Sequence, residues 1–538
     1  MPVRTITNPI LRGFNPDPSI CRVGDDYYLA TSTFEWYPGV RIYHSRDLRN
    51  WRLAGRPLDR PSLLDLRGRP DSCGVWAPCL SWHDEMFYLL YTDVRRFDGN
   101  FKDTHNYLTT CETIDGAWAD PLYLNSSGFD PSLFHDDDGR KWYVNMVWDH
   151  RPDRTHFAGI VLQEYAAQER RLVGNRRFIF KGTALDCTEG PHLYKHASYY
   201  YLMTAEGGTG YQHAATMARA STIDGPYESD PAGPLLSASA SPDWPLQRAG
   251  HGDFVATATG EYFLVHLCSR PLPGLRRSPL GRETAIQRVR WTEDGWLRLE
   301  SGGHLPSLEV PAPDIAVCLV VPDTTFDHFE STVLDPVYQW LRTPCPKEFM
   351  TLDERPGFLR LRGLESLGSL FHQALIARRQ TDLAYEAEAL MEFEPQNFQQ
   401  MAGLVCYYNS SKFHYLYVST DEDLGKHMAI MSCEGDRSLK AEFPNWTHRV
   451  PLQAHTAVRL KARVDHARLD FYWAIGAGEW RQIGPALDAS ALSDEAGAGE
   501  GAQFTGTFVG MCCQDLSGAR IAADFDYFSY RVLPPGDS

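Results

Sequence analysis

The chain has almost no helical periodicity, no basic run and no long apolar stretch. No segment is apolar for long enough to span a bilayer, and the opening Met1-Pro2-Val3-Arg4-Thr5-Ile6-Thr7-Asn8-Pro9 lacks the apolar core of a secretion signal. A cytoplasmic protein with no membrane partner is the expectation. A net charge of −17 without a Lys/Arg cluster argues against a phosphate-backbone partner, so no nucleic acid is expected. The 12 cysteines are scattered singly except for Cys512-Cys513 and show no paired metal spacing, which predicts free thiols and no metal. Asp136-Asp137-Asp138-Gly139 lacks the distal Glu of a calcium loop and reads as a hairpin turn, and Gly207-Gly208-Thr209-Gly210 is too short for a phosphate loop.

What the chain does have is a repeat. A polar or aromatic residue heads a short apolar run, a turn follows, and an aromatic-rich strand answers it. The heads are Asp17, Trp76, Asp130, Glu189 and His251, and the answering strands include Asp26-Tyr27-Tyr28-Leu29 and Tyr262-Phe263-Leu264-Val265. A period of about sixty residues fits radial repetition of four-stranded sheets, and five copies predict a five-bladed β-propeller. Innermost strands of a propeller face its axis, so the five heads should converge.

The propeller is expected over residues 1–305. Three prolines within Leu305–Asp314 mark a linker, placed at 306–321. From 322 to 538, stretches such as Val458-Arg459-Leu460-Lys461-Ala462-Arg463-Val464 alternate apolar and polar residues. That pattern predicts antiparallel sheets with one buried face, an all-β second domain of the β-sandwich type.

Three carboxylates and an imidazole beside an indole would make a poor structural core, because unpaired charges are expensive to bury. Glycosidic bond cleavage uses such a set: one acid protonates the leaving oxygen and a second activates water or attacks the anomeric carbon. Asp17 and Asp130 are each followed by Pro, and Glu189 by Gly-Pro, which stiffens the backbone behind the carboxyl. His251 reads as a tuner of a neighbouring carboxylate, a hydrogen-bonded core residue or a metal ligand, the last weakly because no second ligand clusters with it. Trp76 suits the apolar wall of a sugar subsite.

Asn15-Pro16-Asp17-Pro18-Ser19, Val75-Trp76-Ala77-Pro78, Gly128-Phe129-Asp130-Pro131-Ser132, Thr188-Glu189-Gly190-Pro191-His192, Gly250-His251-Gly252-Asp253 and Leu280-Gly281-Arg282-Glu283-Thr284 together resemble glycoside hydrolase family 43, in its branch of bacterial two-domain β-xylosidases. The resemblance runs nearly end to end. It implies that Asp17 is the general base, Glu189 the general acid and Asp130 a helper that raises and orients the acid. It further implies that Phe34, Trp76, Trp148, Thr209, His251 and Arg282 line the sugar subsite. Phe508, with Phe504 as the alternative, would be placed at the pocket mouth by a loop of the second domain. No cofactor is required, although some members hold a calcium ion near the axial His. The activity implied is an inverting exo-β-D-xylosidase on short xylo-oligosaccharides, with side α-L-arabinofuranosidase activity, in a homo-oligomer, dimer or tetramer. Inversion requires the Asp17 and Glu189 carboxyls to stand about 6.5–9.5 Å apart. The alternatives are an invertase-like retaining fructosidase, whose usual signatures are replaced here, and a non-catalytic sugar-binding propeller, which would not need three axial acids.

Overall fold

A computed structural model describes residues 5–435, 442–443, 445–496 and 503–534. Five antiparallel sheets follow one another in the first half of the chain. Their innermost strands are Ser19–Val23, Gly74–His83, Ser132–His135, Glu189–His196 and Gln247–Ala256. In each sheet the next strand in sequence pairs with the innermost one, and two or more outer strands complete the blade. These are the five predicted repeats. The second strands are the aromatic-rich ones, Asp26–Thr31, Met86–Arg96, Lys141–Trp148, Tyr199–Glu206 and Tyr262–Ser269.

Their side chains are large because they fill the gaps between blades. Ile20, Leu29, Phe263, Val265 and Ile286 join the first blade to the fifth, and Cys79, Leu90, Leu133 and Tyr143 join the second to the third. Tyr201, Met203, Leu264, Val289 and Trp296 join the fourth to the fifth. Each such side chain is worth roughly 1.5–3 kcal/mol on burial. Thr5–Thr7 pairs with Glu309–Pro311, so strands from both ends of this unit lie together. The proline-rich segment read as a linker is therefore partly structured within the first unit. Asn8 holds it further, its N–H donating to Leu308 O and its Nδ2 to Ser307 O, each at 2.8 Å.

Hydrogen bonds link the inner strands around the axis in a closed cycle. Leu80 N–H donates to Ser19 Oγ (3.1 Å), Ser81 Oγ meets His135 Nε2 (3.0 Å), and Ser132 Oγ donates to Pro191 O (2.5 Å). Tyr194 OH donates to Asp253 Oδ1 (2.6 Å), and Ser19 Oγ and Ile20 N–H donate to Asp253 Oδ2 (3.0 and 2.9 Å). Buried Asp253 thus closes the cycle between the fourth, fifth and first blades.

The chain divides into two compact units, residues 1–64, 73–270 and 282–321 in the first and 65–72, 271–281 and 322–538 in the second. The second unit holds two antiparallel sheets. One runs, in spatial order, Met350–Thr351, Leu359–Arg362, Ala522–Val532, Ala384–Phe393, Val458–Asp465, Arg468–Ile475 and Arg481–Asp488. The other runs Ala374–Arg379, Phe508–Asp515, Gln400–Asn409, Lys412–Asp421, Gly425–Glu434 and Val450–Pro451. Val458, Leu460, Ala462 and Val464 are buried while the residues between them are half-exposed, which is the one-faced alternation expected of a β-sandwich. Two short segments outside the predicted sandwich also belong to this unit. Arg342 Nη2 and Ser410 Oγ donate to the Asp71 carboxylate (2.7 and 2.5 Å), and Ser278 donates through N and Oγ to Glu495 (2.9 and 3.0 Å). Among the described residues no helix is long and apolar enough to cross a membrane.

Asp253→Ala should lower the melting temperature strongly, because three buried donors lose their acceptor at a cost of about 3 kcal/mol. Thermal unfolding followed by calorimetry checks this; an unchanged midpoint would mean that the closed cycle contributes nothing.

Candidate active site

The backbone at each inner-strand head adopts a conformation that L-residues rarely take. Asp17 and Asp130 both have φ of +55°, although each precedes proline, where extended backbone is the rule. Aspartate tolerates the left-handed region better than most residues. In the other three blades the same turn falls at Ala77 (φ +34°), Gly190 (φ +56°) and His251 (φ +34°). There the pairing with the second strand slips, between Trp76 and Cys79, Glu189 and His192, and Gly250 and Gly252. Such bulges re-aim a side chain at the end of a strand.

Asp17 is buried and receives two donors. Arg282 Nη1 donates to Oδ1 (2.9 Å) and Ser32 Oγ to Oδ2 (2.7 Å), and His251 Nδ1 lies 4.0 Å from Oδ1. Ser32 Oγ in turn accepts from Ala77 N–H (2.7 Å), which ties the carboxylate to the backbone beside Trp76. Asp130 Oδ2 accepts from Gly190 N–H (3.0 Å), so the helper acid is fastened to the residue after Glu189. Gly190 is glycine for two reasons: its φ, and the His251 ring, whose Cε1 would stand 3.0 Å from any added Cβ. At Gly250 a Cβ would meet His213 Cδ2 at 2.2 Å.

Among the described residues, Asp17 alone of the three acids is ion-paired. Burial foremost, and the Asp17 charge second, push Asp130 up to about 8, against the Gly190 N–H and Arg282. Burial followed by the charges of Asp130 and Asp17 hold Glu189 well above the usual carboxylate range, with Arg282 opposing. The Gly190 N–H favours the charged form of Asp130. Both acids therefore hold their protons more tightly than an exposed carboxyl does, and the N–H that offsets the rise falls on Asp130. Burial also depresses His251 to about 4, so its imidazole is neutral at pH 7.

An aromatic wall adjoins the acids. The Arg282 guanidinium lies 5.3 Å from the Phe34 ring centre, and Phe34 lies 5.8 Å from Trp76. Trp76 also contacts Phe97 (5.7 Å) and Phe129 (5.5 Å). Trp148 reaches this wall through Phe157, which lies 5.4 Å from it and 6.2 Å from Phe129. Thr209 sits on a half-buried loop whose carbonyls are held by Arg248 Nε at Thr209 (2.8 Å) and His213 Nδ1 at Gly208 (2.6 Å). Phe508 belongs to the second unit, where it is fully buried at the start of a strand between Arg379 and Tyr407. Phe504 is half-buried in the same unit, its N–H donating to Ser72 Oγ (3.0 Å).

Ser32, Phe97, Phe129 and His213 were not singled out from the sequence. Phe129 lies inside the Gly-Phe-Asp-Pro motif and could have been. Ser32 carries no repeat signal, since it follows the second strand of the first blade instead of heading an inner one.

Residues 6–297 match the family described as Glycosyl hydrolases family 43, and residues 326–531 match the β-xylosidase C-terminal concanavalin A-like domain. The chain belongs to glycosyl hydrolase family 43. It is 52% identical over 538 residues to the xylosidase/arabinosidase 43B of Humicola insolens, covering 99% of each chain, and 49% identical to the β-xylosidase of Bacillus subtilis (strain 168), covering 98% of this chain and 99% of that protein. A crystal structure of xylan β-1,4-xylosidase from Bacillus halodurans C-125 superposes with a TM-score of 0.95 at 53% identity, covering 98% of this chain and 100% of that one. The fructosidase and the non-catalytic propeller are set aside by this membership.

A calcium ion near His251 does not fit this family 43 chain through direct ligands. Calcium takes six or more oxygen donors, and among the described residues no three His, Cys, Asp or Glu side chains gather to hold a metal. Arg282, bound to the nearest carboxylate, adds a cation to the same place.

The raised Asp130 also gives the stability of this hydrolase a pH dependence. Its folded-state value lies above the ordinary 3.8, so the folded chain holds a proton that the unfolded chain has released. The stability present below about pH 4 is lost as the pH rises to about 8. Asp130→Asn, which keeps an acceptor for Gly190, should raise the melting temperature at pH 8 by several degrees and change it little at pH 4. Equal shifts at the two pH values would contradict the assignment.

Proposed function

We propose that the chain is an exo-acting β-D-xylosidase that cleaves short xylo-oligosaccharides from the non-reducing end with inversion. The observation that carries the reading is the unequal treatment of the acids: Asp17 is paired with Arg282 and held by Ser32, while Glu189 keeps its proton by burial beside Asp130. Glu189 donates that proton to the glycosidic oxygen as the bond to the anomeric carbon breaks. Asp17 takes a proton from a water molecule, whose oxygen attacks the anomeric carbon from the opposite face. Asp130 orients the Glu189 turn through Gly190 and keeps the acid protonated. Arg282 aims the Asp17 carboxylate, and Phe34 and Trp76 offer apolar faces to the sugar ring. The names borne by the Bacillus relatives support xylose as the glycone. That of the Humicola relative supports arabinofuranosidase activity beside it, because α-L-arabinofuranosides present a similar hydroxyl pattern.

Kinetics of two variants on paired substrates test the roles. Glu189→Ala should lose roughly 10³-fold or more on xylobiose, the range of general acid–base catalysis and beyond. It should lose much less on an aryl β-xyloside whose acidic phenol departs without protonation. Asp17→Ala should be inactive on both, since no leaving group replaces the base. Equal losses of Glu189→Ala on both substrates would remove it as the acid.

A further inference from the structure

Two loops leave the propeller at the end where the axial residues sit. Trp76 pairs with Thr92, and that second strand runs on to Arg96, so residues 97–102 emerge next to the Trp76 head. In the next blade Met146 N–H donates to Phe129 O beside Asp130, and the strand ends two residues later at Trp148. The loops are stitched together. Trp148 Nε1 donates to Asn100 O (2.8 Å), and Lys102 Nζ bonds Phe97 O and lies 4.2 Å from the Trp148 ring centre. Phe97 itself packs on Trp76. At the tip of this tied loop Phe101 is 60% exposed, yet its ring is ordered against His150 of the other loop, 4.6 Å away with 26° between planes.

We propose that the Phe101–His150 pair is a platform for the leaving-group sugar, a β-linked pentopyranose attached to the xylosyl unit held at the acids. This rests on the hydrolase reading above. A lone exposed aromatic on a protein surface needs no explanation. Here the ring is one of a stacked pair joined by contacts through Trp148, Lys102 and Phe97 to Trp76. Stacking leaves one Phe101 face open, and a pyranose presents an apolar C–H face to such a ring. Among the described residues neither ring of the stack forms an ion pair or a side-chain hydrogen bond, which suits an uncharged ring with no fixed hydroxyl partner. It therefore selects for a ring-shaped leaving group and tolerates variation in its substituents. Two loops fixed to one another before binding lose little freedom when the sugar arrives.

The test compares kcat/KM on xylobiose with kcat/KM on methyl β-D-xylopyranoside, whose leaving group has no ring. Phe101→Ala should lower the xylobiose-to-methyl-xyloside ratio about fivefold, the effect of one lost ring contact, chiefly through KM. Phe101→Trp should restore it, and His150→Ala should lower it less. An unchanged ratio in Phe101→Ala overturns the platform. A wild type that turns over neither glycoside would count against the hydrolase reading instead. Calorimetric titration with xylobiose would then still decide the platform, which requires weaker binding by Phe101→Ala.

Discussion

The ion pair between Arg282 and Asp17 is the interaction on which the rest of the site depends. Three carboxyl groups share one buried region, and desolvation raises Asp130 and Glu189. A guanidinium at 2.9 Å and a serine hydroxyl at 2.7 Å single out Asp17 as the carboxylate. Its negative charge then reaches the other two and adds to the burial that keeps Glu189 protonated. Arg282 thus fixes the base by direct pairing, while burial and the neighbouring carboxyl groups hold up the acid against it. Neutral His251 leaves that assignment to Arg282, which is why an imidazole can sit 4.0 Å from the base without competing for its charge.

Keeping such a set together costs stability, and the propeller supplies the frame that holds it. Five inner strands are laced to one another below the acids through Ser19, Ser81, Ser132, Tyr194 and Asp253, so the heads cannot spread to relieve repulsion. Above that cycle each strand ends in a left-handed turn or a bulge that directs its first side chain to the axis. Strain of this kind persists where the surrounding structure over-determines it. Packing between blades, built from the aromatic second strands, is what over-determines it here.

Much of this was legible in the sequence because a repeat converts position into geometry. Once Asp17, Trp76, Asp130, Glu189 and His251 share a register, their convergence follows from the fold, and the Asp-Pro and Glu-Gly-Pro steps mark where the backbone turns. Arg282 was legible only through resemblance, since it heads no inner strand. Ser32 was not legible at all: its role comes from a contact across the chain to Ala77, and no local pattern encodes that. The unit boundary was also only partly readable. Composition marks the proline-rich stretch near 310, but the grouping of 65–72 and 271–281 with the second unit rests on side chains such as Asp71 and Glu495 that look like ordinary surface acids in sequence.

In an inverting site Asp17 activates water and does not attack carbon. Proton NMR of the first turnovers on a β-xyloside, recorded before mutarotation, reads this directly. It should show α-xylose as the first product. Release of β-xylose first would make Asp17 a nucleophile and contradict the division of roles between the three acids.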